Sequence, residues 1–102
     1  MGNMTEFRIY VERKVQAQSV EGPGPDIEAE VLALVSMALP AGATSIKAHG
    51  CYDQTQELAW MIIAIGPEAI RGAVTTLAYK LKARLDQNAI LITESPVTGY
   101  TI

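Results

Sequence analysis

The chain has 102 residues, of which 49% are hydrophobic and 19% charged, and its formal net charge is −3. This length predicts a single domain over residues 1–102, with one core and no room for a second. The acidic balance leaves no basic footprint for phosphates, so nucleic-acid binding is not expected.

The first half of the chain predicts a strand, a loop and a helix. Phe7, Ile9 and Val11 alternate with polar residues, which is the period of a half-buried strand. Residues 14–25 become polar and then rich in glycine and proline, which predicts a long, mobile loop. Asp26 is a candidate N-cap, and residues 39–42 end the helix that follows. Apolar residues recur in that helix at helical spacing: Ile27, Val31, Leu34, Val35 and Ala38.

The second half predicts two strands, a helix and a further strand. Residues 44–52 alternate as a strand, a polar turn is expected at residues 53–56, and residues 58–65 read as a wholly apolar strand. Pro67 begins a helix, which residues 86–88 end, and residues 89–93 read as a fourth strand. Pro96 and Gly99 predict a final turn, with a short edge strand at residues 100–102. The second helix carries an apolar stripe: Ile70, Val74, Leu77, Ala78, Leu81 and Leu85.

This order, β-α-β-β-α-β, is that of the α+β ferredoxin-like fold. Right-handed crossovers place both helices on one face of the antiparallel sheet. The strand at residues 58–65 is apolar on both sides, although the helices can cover only one face. Because a stable monomer rarely leaves such a face in water, we expect a homo-oligomer whose sheets pack together. By analogy of fold, the expected form is a closed trimer, as in PII-like proteins.

Cysteine, histidine and apolar runs set further limits. Cys51 is the only cysteine, which excludes an internal disulfide and is typical of a reducing cytosol. His49 and the scattered acids offer no ligand spacing for zinc or iron, so no metal is expected. The longest apolar run is far shorter than the ~20 residues that a membrane span needs, and residues 1–6 show no secretory pattern. We therefore expect a cytoplasmic protein without membrane contact.

Residues 50–57 form the pattern that points most clearly to function. Tyr52 and Glu57 flank a short polar turn beside the apolar strand. A phenol and a carboxylate held against a dry scaffold have stronger electrostatic effects than they would have in water. Each residue also has an ordinary interpretation, Glu57 as a solvated turn residue and Tyr52 as an edge aromatic.

The remaining polar candidates favour structural roles. His49 has no carboxylate or serine at a spacing that would make a triad, and Cys51 reads as a small apolar residue. Gln87 could reach a ligand, although capping the end of the preceding helix is the simpler interpretation. The glycine- and proline-rich segment at residues 22–25 is not a phosphate loop, because its prolines lack amide donors.

From Gly50 onward, the chain resembles the phage-encoded lyases of S-adenosylmethionine (SAM), formerly called SAM hydrolases. The shared pattern is residues 50–52 (Gly-Cys-Tyr), a short polar turn, Glu57, an apolar strand, an Ala/Leu-rich helix and residues 86–92 (Asp-Gln-Asn-Ala-Ile-Leu-Ile). The turn is shorter than in that family. The resemblance implies a trimer of PII-like sandwiches with active sites between subunits. Residues 40–44, 50 and 87–91 also resemble small ferredoxin-like proteins of unassigned activity.

The lyase resemblance implies a specific reaction and specific residues. SAM would be cleaved to 5′-methylthioadenosine and L-homoserine lactone, which in a phage would deprive restriction-modification systems of SAM. Glu57 and Tyr52 are the implied catalytic residues, and Gln87 is a weaker substrate-binding candidate. No cofactor is implied, because SAM is the substrate. Two alternatives stay open: a non-catalytic PII-like module that binds an adenine nucleotide or a partner, and an inhibitor that acts by protein contact.

Overall fold

A computed structural model describes residues 4–13, 25–52, 55–100 and 102, with side-chain surroundings over residues 4–11, 28–47, 59–100 and 102. The first four elements along the chain are three strands and a helix: β1 is Met4–Arg13, α1 is Pro25–Ala38, β2 is Thr44–Tyr52 and β3 is Thr55–Gly66. A 3-10 turn at Glu68–Ile70 leads into α2, Arg71–Arg84, and β4 is Leu91–Val97. The loop predicted at residues 14–25 lies outside the described residues except for Pro25, which belongs to α1.

The four strands form one sheet in the order β2-β3-β1-β4, and every neighbouring pair is antiparallel. β1 and β3 are therefore the central strands, and β2 and β4 are the edges. Both helices pack against the same face of the sheet, and the core lies between them and the strands. This is the predicted α+β ferredoxin-like architecture, and the prediction is confirmed.

The core is built from alternate residues of the central strands and one stripe of each helix. Phe7, Ile9 and Val11 of β1 stand opposite Ala64, Ile62 and Trp60 of β3. Each fully buried large side chain of this kind stabilises the fold by about 1.5–3 kcal/mol. The helices and the residue that follows α1 contribute seven more buried side chains: Val31, Val35, Leu39, Val74, Leu77, Ala78 and Leu81.

The first helix begins earlier than its predicted cap. α1 starts at Pro25, so Asp26 lies in the first turn instead of preceding the helix. Proline suits the first helical position because its fixed φ is already helical and its missing N–H would have no partner there. The predicted apolar stripe is confirmed at Val31 and Val35, which are buried.

The last strand runs further than predicted. β4 extends from Leu91 to Val97, so the expected strand at residues 89–93 is displaced and Pro96 lies within a strand instead of a turn. Pro96 pairs with Thr5 of β1. Proline is tolerated in this position because β4 is an edge strand, where one side of the backbone has no neighbour to receive a donor. Neither residue 100 nor residue 102 belongs to a strand.

The polar turn predicted at residues 53–56 is shorter than expected. β3 begins at Thr55, and the β2–β3 ladder continues until Tyr52 stands opposite Thr55. Residues 53 and 54 lie outside the described residues. Glu57 is therefore part of a strand and not the far edge of a turn. Cross-strand pairing with β2 outweighs the polar composition of residues 55–57, because strand formation depends more on context than on intrinsic preference.

Candidate functional site

The hairpin end of β2 and β3 brings the two predicted catalytic positions together. Gly50 stands opposite Glu57, and Tyr52 stands opposite Thr55. Tyr52 and Glu57 are thus diagonal neighbours on adjacent strands, an arrangement that places residues about 7–8 Å apart. Their side chains lie outside the described part of the chain, and the backbone register alone relates the two positions.

The register also assigns the two positions to one side of the sheet. Residues that stand opposite each other in an antiparallel ladder share a face, and the faces alternate along each strand. Positions 52 and 57 belong to the same alternation as Ala59 and Met61, whereas Trp60 belongs to the buried alternation beneath the helices. The candidate site therefore stands at one end of the sheet face that the helices do not cover.

This uncovered face, which we call the open face, is largely apolar. Ile46 is 40% exposed, Ile65 55% and Leu91 62%, whereas Met61 and Ile63 are partly buried. From residue 59 to residue 65, apolar residues of β3 lie alternately on the open face and on the buried face. A contiguous apolar surface of this kind is typical of an interaction site and is rarely left exposed to water.

A row of polar side chains on β1 crosses the middle of the open face. The Arg8 Nε donates a hydrogen bond to the Glu6 Oε1 at 3.1 Å, and the Glu6 side chain is only 17% exposed. Hydrogen bonds to Tyr10 and then to Glu6 raise the pKa of Arg8 above its ordinary value. The sequence showed only that these residues alternate with core residues. Their central place follows from β1 being an inner strand of this fold.

Gln87 lies at the end of α2 and is only 7% exposed. Its side-chain Nε2 donates a hydrogen bond to the Leu85 carbonyl oxygen at 3.3 Å. Its backbone N donates to the Lys82 carbonyl oxygen at 2.9 Å. Both bonds occupy carbonyl groups that the last helical turn leaves without a partner, which is the geometry expected of a capping residue. Gln87 precedes β4 at the same end of the sheet as the β2–β3 hairpin, but β1 lies between β4 and that hairpin.

A groove of about 230 Å³ lies between α2 and β4 on the helix side of the sheet. Ala78, Ile90 and Ile92 supply apolar walls, and Thr75, Tyr79 and Lys82 supply polar groups. A shallower depression of about 360 Å³ lies at the start of β2, on the open face, between Thr44 and Ile65. Neither was anticipated from the sequence, since each depends on contacts between separate elements.

The described residues contain neither a cluster of metal ligands nor a helix that could span a membrane. Over residues 4–11, 28–47, 59–100 and 102, no three His, Cys, Asp or Glu side chains gather in a metal-binding arrangement. Among the helices of the described residues, none is both long and apolar enough to cross a membrane.

No protein-family model matches the chain, and no curated protein matches it. Solved structures do. A phage SAM lyase in its apo state has a TM-score of 0.67 at 19% identity, covering 90% of this chain and 79% of that one. A phage SAM lyase in complex with S-methyl-5′-thioadenosine has a TM-score of 0.62 at 18% identity, covering 94% of this chain and 90% of that one.

A third structure comes from a different functional class. CPII, a nitrogen regulatory PII-like protein from Thiomonas intermedia K12 bound to ADP, AMP and bicarbonate, has a TM-score of 0.58 at 16% identity. The match covers 99% of this chain and 98% of that one. Identities this low establish a shared fold and not a shared activity. The chain therefore has the ferredoxin-like fold that phage SAM lyases and PII-like proteins share.

Proposed function

We propose that this protein is a SAM lyase. The observation that carries the proposal is the β2–β3 register, which places Tyr52 and Glu57 on adjacent strands at the hairpin end. These are the residues that the sequence motif assigns to catalysis. The similarity in fold to phage SAM lyases, over 90% of this chain, is consistent with that assignment.

The proposed reaction needs no nucleophile from the protein. One carboxylate oxygen of SAM attacks the γ-carbon of the methionyl chain and forms the C–O bond of a five-membered lactone. The bond between that carbon and the sulfonium breaks, and its electron pair stays on sulfur, which leaves as neutral 5′-methylthioadenosine. Holding the chain in the folded conformation can supply up to about 7–11 kcal/mol of the barrier reduction.

Glu57 and Tyr52 would supply that positioning. The Glu57 carboxylate would accept a charge-assisted hydrogen bond from the SAM ammonium group, which is about twice as strong as a bond between neutral groups. The Tyr52 hydroxyl would hold the carboxylate or the amine so that the attacking oxygen faces the γ-carbon. Gln87 is the weaker substrate-binding candidate, since its side-chain amide already donates to the Leu85 carbonyl.

We also propose that the active protein is a homo-oligomer, with a trimer as the expected form. The partly exposed apolar residues of the open face would pack against other subunits, and the hairpin end would then lie at a boundary between subunits. Such a boundary supplies the water-excluded cleft that an adenine ring requires. In an infected cell the protein would act in the cytoplasm and would lower the SAM available to restriction-modification enzymes.

The direct test is to incubate the purified protein with SAM. We expect 5′-methylthioadenosine by chromatography and homoserine lactone, or homoserine after its hydrolysis, by NMR. Glu57→Gln is nearly isosteric and removes the charge, and we expect it to lower turnover about ten- to hundredfold, since one charge-assisted bond is worth roughly 1.5–3 kcal/mol. Glu68→Gln, on an exposed turn far from the hairpin, is the matched control and should keep full activity.

The outcomes separate the proposal from its rivals. Turnover that survives Glu57→Gln would remove this residue from the mechanism, and turnover that is equally lost in Glu68→Gln would point to a general effect of charge. Tyr52→Phe tests the phenol in the same way. Absence of both products from the wild-type protein would reject the lyase proposal.

A non-catalytic adenine-nucleotide module is the second candidate. It is favoured by the similarity to CPII, whose structure contains ADP and AMP and aligns with 99% of this chain. Calorimetry with ADP, AMP and SAM distinguishes the two functions. Binding of a nucleotide without cleavage of SAM would support the module.

A further inference from the structure

We propose that the groove between α2 and β4 is a second binding site, for a small organic monoanion with an apolar body. The groove lies on the helix side of the sheet, because Ile92 in its wall stands opposite the core residue Ile9. Positions 52 and 57 belong to the opposite side. The groove therefore lies on the other side of the sheet from the proposed catalytic pair, and its proposal does not depend on the proposed SAM reaction.

The lining separates into an apolar part and a polar rim. Ala78 lies at the buried base of the α2 wall, and Ile90 and Ile92 form the β4 side. Thr75, Tyr79 and Lys82 follow one another along α2 at spacings of four and three residues, so they line the same side of the helix. A ligand with one apolar end and one polar end matches this division, since binding sites combine apolar walls with a few polar groups that fix orientation.

The charge of the rim favours an anion. The arginines at the two ends of α2 are each paired: Arg71 with Glu94 at 2.5 and 2.9 Å, and Arg84 with Glu30 at 2.5 and 2.6 Å. Lys82 lies between them in the helix, and among the described residues it has no ion pair. Its ammonium group is therefore available to a ligand, with the hydroxyl groups of Thr75 and Tyr79 as further donors.

The volume limits the size of the ligand. At about 230 Å³, the groove is smaller than the roughly 300–1,000 Å³ of sites for drug-sized molecules. A single aromatic ring or short aliphatic chain with one carboxylate would fill it. Aryl- and alkyl-carboxylates are thus the expected class, and phenylacetate is a suitable probe.

The experiment is a titration of the ¹⁵N-labelled protein with phenylacetate and, separately, with its neutral isostere phenylacetamide. We expect phenylacetate to shift amide resonances of α2 and the start of β4, and phenylacetamide to bind about two- to fivefold more weakly, as expected for loss of one partly exposed ionic contact. Lys82→Gln should weaken phenylacetate to a similar degree. Lys80→Gln, which removes the same charge from an exposed position outside the groove, is the matched control and should leave binding unchanged.

A blocking variant completes the test. Ala89 also lines the groove and is exposed, so Ala89→Leu should fill it and abolish the shifts without disturbing the core. Three results would each overturn the proposal. They are equal affinity for phenylacetate and phenylacetamide, equal effects of Lys82→Gln and Lys80→Gln on binding, and resonance shifts confined to elements other than α2 and β4. SAM turnover is not a readout here, so failure of the lyase proposal would not affect this result.

Discussion

Gly42 and Gly72 have opposite backbone requirements, although neither has any atom near the position of an added Cβ. Gly42 has a φ of +121°, whereas Gly72 lies inside α2. A side chain at position 42 is disfavoured by backbone strain alone. A side chain at position 72 lowers the conformational entropy of the unfolded chain, so less entropy is lost on folding.

We therefore predict opposite signs for two alanine substitutions. Gly42→Ala should lower the free energy of unfolding by about 1–3 kcal/mol, and Gly72→Ala should raise it by up to about 1 kcal/mol. Urea unfolding followed by circular dichroism measures both. Unchanged or raised stability of Gly42→Ala would contradict the positive φ of Gly42, and destabilisation by Gly72→Ala would contradict the prediction for the helix.

The ion pair between α1 and α2 predicts a pH dependence. The hydrogen bond from Arg84 lowers the pKa of Glu30 below its usual range. A carboxyl group with a lowered folded pKa contributes stability at neutral pH, and the contribution is lost as the pH falls through that folded pKa. Both side chains are more than a third exposed, so solvent screening keeps the effect small.

The comparison of wild type with Glu30→Gln measures this contribution. We expect wild type to be slightly more stable at pH 7, and the difference to shrink towards pH 3. Arg84→Gln should reproduce the same pH profile, because it removes the other partner of the pair. A difference that is unchanged by pH would show that the pair contributes nothing through ionisation.

At the residue scale, the sequence identified candidates but not their neighbours. Tyr52 and Glu57 could be selected from a local motif because their types and spacing are visible in the chain. The central place of the Glu6–Arg8 pair in the sheet and the groove beside Lys82 could not be predicted in this way. The first depends on the order of the strands and the second on contacts between α2 and β4, and both are properties of the folded chain.

At the scale of elements, α2 contributes more buried side chains than α1 among the residues whose side-chain surroundings the structure describes. Leu77 is fully buried at the centre of that stripe, whereas Lys80, three residues later, is exposed. Leu77→Ala should lower the free energy of unfolding by about 2–5 kcal/mol, because it removes apolar contacts and leaves a cavity. Lys80→Ala should change it by less than about 0.5 kcal/mol. Chemical denaturation of both variants, with equal m-values, would measure the difference.

The existence of each main element could be predicted, but several boundaries could not. The stripe of α2 and the alternation of β1 are strong periodic signals. The sequence predicts too late a start for β3, because residues 55–57 are polar, and too early an end for β4, because Pro96 is typical of turns. In both cases the neighbouring strand provides pairing that local composition does not reveal.

At the scale of the whole molecule, the open face predicts association. Ile63 lies on that face, where its neighbours across the sheet are Arg8 and Thr44. Ile63→Lys should convert the proposed oligomer to single chains, because a buried interface tolerates an unpaired charge poorly. Leu32→Lys, on a half-exposed position of α1, is the control and should leave the mass unchanged. Light scattering measures both, and a wild-type protein with the mass of a single chain would reject the trimer.

The fold was the most predictable property because the order of elements leaves few topologies open. A β-α-β-β-α-β order with right-handed crossovers leads directly to the strand order β2-β3-β1-β4. The order of the elements does not specify the number of subunits. It depends on the fit between two surfaces, and the polar row formed by Glu6, Arg8 and Tyr10 shows that this surface is not uniformly apolar.

Pro96 in β4 has a consequence for growth of the sheet beyond one molecule. The β1–β4 ladder continues on both sides of it, with Ser95 opposite Glu6 and Val97 opposite Met4, as expected if the side without a donor faces outward. A further strand added to β4 would find no amide there, so ordered pairing is limited to the first part of the strand. The opposite edge, β2, contains no proline over Thr44–Tyr52. Fibre-like growth by pairing of edge strands from one molecule to the next requires two edges that can form backbone hydrogen bonds, so Pro96 disfavours it. A closed assembly that packs the open faces together does not use these edges and is not affected.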